Sequence, residues 1–170
     1  MIELGLVGAR NSGKTTLMVG LVEQLCRRGI RVATAKHTSH HHRFDREGSD
    51  SFRHRQAGAG LTLAISEREV GVFAEPECLP LERLREFLES QFDVWLVEGD
   101  KSGSRPKILA TRGLSGLRDG VPSGVIATIG PEGLPQVPVH LDSGDLDGLV
   151  EFVMGLIDQT REVRGVVNVA

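Results

Sequence analysis

The chain opens on an apolar run, Ile2 to Val7, too short for a helix and suited to a buried strand. Beyond a polar, glycine-bearing stretch, Leu17, Met18, Leu21, Val22 and Leu25 recur at helical spacing, which predicts a helix over 14–28 stopped by Gly29. Residues 31–36 form a second strand candidate, and the polar, histidine-rich stretch 37–48 reads as loop. A helix capped by Ser49 or Asp50 is expected over 49–59, followed by short β-type runs at 61–65 and 70–74. Leu81, Leu84 and Leu88 share one face of a helix over 80–90, with Pro80 near its start. The near-continuous apolar run at 93–98 has the pattern of a strand buried on both faces. Strand candidates at 107–111, 124–128 and 138–141 lead to a final helix from Leu146 to Ile157. The expected domain is therefore 1–158, with 159–170 left unassigned.

Strands alternating with helices predict an α/β fold of the P-loop NTPase type, a mostly parallel sheet with helices on both faces. Ligands of such folds sit beyond the carboxyl ends of the strands. The loop after the first strand, the histidine-rich loop and the segment after Val97 are thus expected to meet at one edge.

Composition adds little to this pattern. The 170 residues are 39% apolar and 25% charged, and the net charge of −3 carries no basic surplus of the kind a nucleic-acid partner would need. No apolar stretch approaches a membrane span, and Met1 leads straight into a strand-like run. A soluble, cytoplasmic protein is expected. Cys26 and Cys78 fit no metal or redox spacing, and Cys26 is expected to pack on the apolar side of its helix. Only four of the 20 cationic residues are lysines, at 14, 36, 101 and 107. Because arginine is the default surface cation here, sites that need a compact ammonium stand out.

Residues 8–16, GARNSGKTT, match the Walker A pattern in full. Gly8 and Gly13 let the backbone curl, so that N–H groups through Asn11 and Ser12 turn toward phosphate oxygens. Lys14 is expected to reach the β- and γ-phosphates and the Thr15 hydroxyl to ligate Mg²⁺. The following helix aims its positive end at the same anion.

A phosphate loop works with an acidic residue at the end of a neighbouring strand. Glu98 fits that place, and Asp93, at the opposite end of the same strand, does not. Asp45, in the loop after the second strand, is an additional metal candidate or a plain loop acid. Lys36, His37 and Lys101 fall on the expected ligand edge, whereas Lys107 begins a strand and points either way. His37, His40, His41, His42 and His54 crowd into eighteen residues. Consecutive loop histidines cannot all face one ion, so contact with an anion, simple solvation and a metal site all stay open.

GARNSGKTT, the block 36–59 (KHTSHHHRFDREGSDSFRHRQAGA), and DVWLVEGDK with Pro106-Lys107-Ile108 resemble, in this order, the MobB family of molybdopterin-guanine dinucleotide biosynthesis accessory proteins. The likeness runs through the strand at 125–128 to the last helix. It implies a P-loop fold, binding of GTP with Mg²⁺, and feeble GTP hydrolysis. It also implies a homodimer that assists a MobA-like molybdopterin guanylyltransferase, with the molybdopterin cofactor as a further partner. Carried over by position, Gly13, Lys14, Thr15 and Thr16 hold the phosphates, Asp45 and Glu98 serve the metal, and the Lys36-His37 region faces nucleotide or cofactor.

The chain departs from the family at three places. Ser49 stands where a lysine is usual, Asp100 where an aromatic is usual, and Ile129-Gly130 where an aspartate suited to reading guanine often follows the strand. Two other functions share the Walker A loop. One is a small-molecule kinase, using 112–120 as a lid, and the other is a nucleotide-gated metallochaperone, using the histidines. Arg10 is the one candidate for an arginine finger supplied in cis.

Overall fold

The structure, a computed structural model, describes residues 1–38, 43–117 and 120–167. Its chain divides into two compact units, Met1–Thr38 with Leu88–Ala170, and Ser39–Phe87. The first is built on six parallel strands: β1 (Ile2–Gly8), β2 (Val32–Lys36), β5 (Val94–Glu98), β6 (Lys107–Ala110), β7 (Val125–Ile129) and β8 (Val139–Leu141). Their spatial order is β2-β5-β1-β6-β7-β8. The apolar runs at 2–7 and 93–98 become the two strands beside each other at the centre, and every residue of β5 is buried. A single register aligns Leu6 with Glu98 and Glu98 with Lys36. The carboxyl ends of β1, β5 and β2 are thereby level.

Two helices, α1 (Lys14–Arg27) and α4 (Leu146–Val167), pack on one face. Met18, Leu21 and Leu25 of α1 and Leu149, Val150, Val153 and Ile157 of α4 cover Leu4, Leu6, Val94, Leu96, Ile108 and Ile129. Each fully buried leucine of this set contributes roughly 2 kcal/mol. Over β1 and β6 the other face is covered by connecting segments, with Val7, Ala9 and Leu109 against Leu117, and Arg105 lying against Gly5. Gly29 ends α1 in the left-handed conformation (φ 77°). There the Ile30 N–H donates to the Leu25 carbonyl at 3.1 Å and the Gly29 N–H to that of Cys26 at 3.0 Å. This is the Schellman arrangement, closed by contact between buried Ile30 and Leu25.

Cys26 is exposed, contrary to the expectation that it packs. Leu25 occupies the buried position, and one residue further the helix has turned about 100° toward solvent. Residues beyond Ile157, which showed no period, continue α4 to Val167. They hold the helix through polar links, the Thr160 hydroxyl to the Leu156 carbonyl at 3.0 Å and Arg161 to Asp158 at 3.8 Å. A short 3₁₀ turn over Leu114–Gly116, which no pattern announced, precedes buried Leu117.

The second unit carries α2 (Asp50–Gln56) and an antiparallel hairpin, β3 (Leu61–Ile65) and β4 (Val70–Ala74). Ser49 caps α2, its hydroxyl accepting the Phe52 N–H at 3.2 Å. The hairpin turn is fixed by Ser66, whose N–H and hydroxyl meet the Glu69 carbonyl at 2.9 and 3.2 Å. Leu61, Leu63 and Ile65 oppose Ala74, Val72 and Val70, so one face of the hairpin is wholly aliphatic. Its five large members are all exposed, Ile65 the most at 72%. The helix α3 (Leu81–Gln91) then leads into β5.

Candidate functional site

Residues 8–16 turn from the end of β1 into α1. Gly8 has to be glycine for space, because a Cβ there would lie 2.8 Å from both the Ala110 carbonyl oxygen and the Ser12 hydroxyl. Gly13 has to be glycine for conformation, since it caps α1 at φ 88° with nothing within 4 Å of the place a Cβ would take. Asn11 is also left-handed, at φ 61°. No side chain caps α1 and no acid stands in its first turn, so the positive end of the helix is uncompensated from within the helix.

Lys14 curls back over the loop, donating to the Ala9 carbonyl at 2.5 Å and the Ser12 hydroxyl at 3.2 Å. Burial chiefly pushes its ammonium below the usual lysine range; Glu98 opposes this, and Lys36 and Lys101 reinforce it. The Thr15 hydroxyl donates to Glu98, 3.0 Å from Oε1 and 3.2 Å from Oε2. Lys36, level with Glu98 on the neighbouring strand, bonds the same Oε1. A cavity of about 430 Å³ opens over these groups and is lined in addition by Arg10 and Thr16.

The phosphate loop, Lys36 and Glu98 thus come together at one sheet edge. The His37 backbone helps to hold it, its N–H donating to the Glu98 carbonyl at 2.8 Å. Its own carbonyl lies 2.6 Å from where a Cβ on Gly99 would sit, so Gly99 (φ 94°) admits this close approach. The His37 ring is exposed, and so is Lys101, which acts on Lys14 through its charge. His40, His41 and His42 lie outside the described residues. Among the described residues no cluster of three or more His, Cys, Asp or Glu side chains forms.

Asp45 belongs to the second unit, and there its carboxylate already has work. Oδ1 accepts the Ser51 and Ser49 hydroxyls at 2.8 and 3.1 Å, and Oδ2 accepts Arg55 at 3.2 Å. Burial pushes its pKa up, but the bonds from Ser51, Ser49 and Arg55 prevail and hold the group below the usual carboxylate range. On sequence Asp45 stands between a metal ligand and a plain loop acid; in the structure both of its oxygens are bonded within its own segment, to Ser49, Ser51 and Arg55.

Lys107 also has a structural answer. Its side chain is fully buried, and the ammonium donates to the carbonyls of Gly103 at 2.5 Å, Ser123 at 2.9 Å and Arg105 at 3.1 Å. It ties the crossover from β5 to β6 to the segment before β7. Asp100, at φ 51°, pairs with Arg105 and accepts the Gly103 N–H at 3.1 Å. Arg105 in turn lies over Trp95, 5.5 Å from the ring centroid. Sequence reading missed this group; the clustering of Asp100, Arg105 and Lys107 within eight residues was its one visible trace. Gly130 (φ 143°) leaves no room for a side chain, as a Cβ would lie 2.4 Å from the Thr111 hydroxyl.

A six-stranded parallel sheet whose central strand turns through a glycine-framed loop into a helix defines an α/β protein of the P-loop class. The chain belongs to the MobB family: the family model described as molybdopterin guanine dinucleotide synthesis protein B matches residues 3–128. A molybdopterin-guanine dinucleotide biosynthesis adapter protein of Escherichia coli is 36% identical over 150 residues, 84% of this chain and 86% of that protein. A protein of the same description from Haemophilus influenzae is 38% identical over 111 residues, 64% of this chain and 62% of that one. The crystal structure of Bacillus subtilis MobB matches with a TM-score of 0.73 at 23% identity, over 91% of this chain and 97% of that one. A MobB homologue from Bacillus stearothermophilus matches with a TM-score of 0.65 at 24% identity, over 94% and 99%. Both structural likenesses concern the fold.

Proposed function

We propose that this protein is a cytoplasmic, GTP-binding accessory protein in molybdopterin guanine dinucleotide biosynthesis, acting beside a MobA-like guanylyltransferase and the molybdopterin cofactor it modifies. The observation that carries this reading is the juxtaposition of Lys14, Thr15 and Glu98 under one open cavity at the mouth of the phosphate loop. The description of the E. coli and H. influenzae relatives as adapter proteins of this pathway supports it.

Mg²⁺ suits the donors present, because Thr15 and Glu98 offer hard oxygen atoms side by side, and among the described residues that line the cavity there is no sulfur or imidazole. These two residues would hold the ion, which supplies charge neutralisation for the triphosphate when bound. The backbone through Asn11, Ser12 and Gly13 and the Lys14 ammonium orient the phosphates, with Thr16 at the cavity wall. Hydrolysis is slow in this reading, since Arg10 is the one arginine on the described cavity. A homodimer would cover the aliphatic face of the β3–β4 hairpin, a two-stranded sheet that is marginal by itself.

Titration of Trp95 emission with GTP and with ATP, with and without Mg²⁺, tests the nucleotide reading. Trp95 is the sole tryptophan, no tyrosine competes, and it lies three residues before Glu98 on the same strand. A Mg²⁺-dependent response favouring GTP is expected; a preference for ATP would overturn the guanine assignment. Sedimentation of wild type and Leu63→Lys tests the dimer, with the variant expected as monomer.

A further inference from the structure

We propose that Lys36 is the built-in counter-ion of Glu98, a positioning residue that holds this carboxylate in place and competes with a divalent cation for it. Glu98 is only 6% exposed, and a carboxylate so far out of water needs a charged partner. The Thr15 hydroxyl gives it a hydrogen bond without charge. Lys14 acts on Glu98 through its charge alone, since its ammonium is bonded to the Ala9 carbonyl and the Ser12 hydroxyl. Among the described residues Lys36 is the cation bonded to Glu98.

The strand register sets up this pairing, because Lys36 and Glu98 are direct partners at the ends of adjacent parallel strands. The two side chains differ in a useful way. That of Lys36 is 61% exposed while that of Glu98 is 8% exposed, so the ammonium reaches in from solvent and can leave without repacking. Lys107, enclosed and bonded to three carbonyls, has no such freedom. A divalent ion on Glu98 and an ammonium on the same Oε1 repel each other, so occupancy by one weakens the other. Lys36 thus pairs with Glu98 in the empty site and sets the cation concentration at which the site fills.

The inference rests on the nucleotide reading above only for its first test. Calorimetric titration with GDP over a series of Mg²⁺ concentrations, in wild type, Lys36→Met and Lys36→Arg, reads the Mg²⁺ midpoint. The methionine variant is expected to fill at about tenfold lower Mg²⁺ and to bind GDP more weakly in EDTA, where Glu98 is left bare. The arginine variant, which keeps a cation, stays within about twofold of wild type. In a Glu98→Gln background the methionine change no longer moves the midpoint. An unmoved or raised midpoint in Lys36→Met overturns the proposal; a lysine that only touched phosphate would give that result. The second test uses nucleotide-free protein and Mn²⁺ followed by electron paramagnetic resonance, with Lys36→Met expected to retain Mn²⁺ at lower concentration than wild type. If wild type binds no GDP under any condition, the nucleotide reading fails by itself. The Mn²⁺ titration then decides the role of Lys36, and equal retention by the two proteins overturns it.

Discussion

The sheet edge around Glu98 and the start of α2 around Asp45 each bury a carboxylate against hydroxyls and a cation, yet their surroundings differ. At Glu98 the partners are Thr15 and Lys36, both reaching into an open cavity, and Thr15 stands at the head of a helix whose positive end is uncapped. At Asp45 the partners are Ser49, Ser51 and Arg55, and all are part of the α2 segment that the carboxylate fastens. Arg55 is itself 9% exposed, so the pair is closed off from water. One carboxylate is held by groups that can leave, and the other by groups whose departure would undo local structure.

The largest effect expected from this contrast is at Lys14. Lys14→Ala removes the ammonium from the phosphate loop and is expected to weaken nucleotide binding by about 100-fold, the scale of one charge-assisted hydrogen bond to the ligand. Its own bonds are local, to Ala9 and Ser12, so thermal unfolding should barely move. Calorimetry with GTP and a melting curve on the same sample check both halves. Asp45→Asn is expected to do the reverse. It leaves Arg55 short of its charge partner and lowers the melting temperature, while GTP affinity per folded molecule stays at the wild-type value. A loss of affinity with unchanged melting would return Asp45 to the nucleotide site.

The next effect is one of pH, at the other end of the strands. Asp93 receives three bonds from Arg31, at 2.9, 3.1 and 3.2 Å, and an ion pair from Arg161 at 3.3 Å. The Arg31 side chain chiefly holds its carboxyl down, at about 2, against a usual 3.8. Because the folded value lies below the unfolded one, the stabilisation is complete above the unfolded value and is lost as pH falls from 3.8 toward 2. Asp93→Asn is expected to lose stability at neutral pH and to flatten the acid limb of the stability curve. Urea midpoints measured across that range check the sign.

The main elements of the fold were legible because their signals are local. Buried strands such as 93–98 are apolar throughout, and α1 repeats leucine at helical spacing before a glycine stop. Even the hairpin strands at 61–65 and 70–74 fall where the pattern puts them. Their separation from the parallel sheet was not legible, because strand pairing is a non-local property that a β-type run does not encode. The phosphate loop, Lys36 and Glu98 were likewise readable, since a motif and two strand ends fix their places. Lys107 was not, because whether a lysine at the start of a strand points to solvent or to three carbonyls depends on a loop, 120–124, that is distant in sequence. Asp45 was misleading for a related reason: its neighbours Ser49, Ser51 and Arg55 are plain in the sequence, but only their geometry shows that they face it.

The smallest and sharpest test compares two hydroxyls that make the same kind of bond. Thr15 donates to Glu98 at 3.0 Å, and Ser51 donates to Asp45 at 2.8 Å. Each bond goes to a carboxylate, and such a bond is worth about 1.5–3 kcal/mol. Thr15→Val keeps the shape of the side chain and removes the hydroxyl at the cavity. Stability is expected to hold within about 0.5 kcal/mol, because water in the open cavity can replace the lost hydroxyl. Mg²⁺-dependent nucleotide binding is expected to fall by about tenfold, as it should when the bound ion is deprived of one oxygen ligand. Ser51→Ala is expected to show the mirror result, a loss of about 1.5 kcal/mol in stability with binding unchanged, since its bond lies in a segment closed off from water. Denaturant curves and calorimetry on the two variants separate the cases. Equal behaviour of the pair would erase the distinction between a carboxylate held for a ligand and one held for the fold.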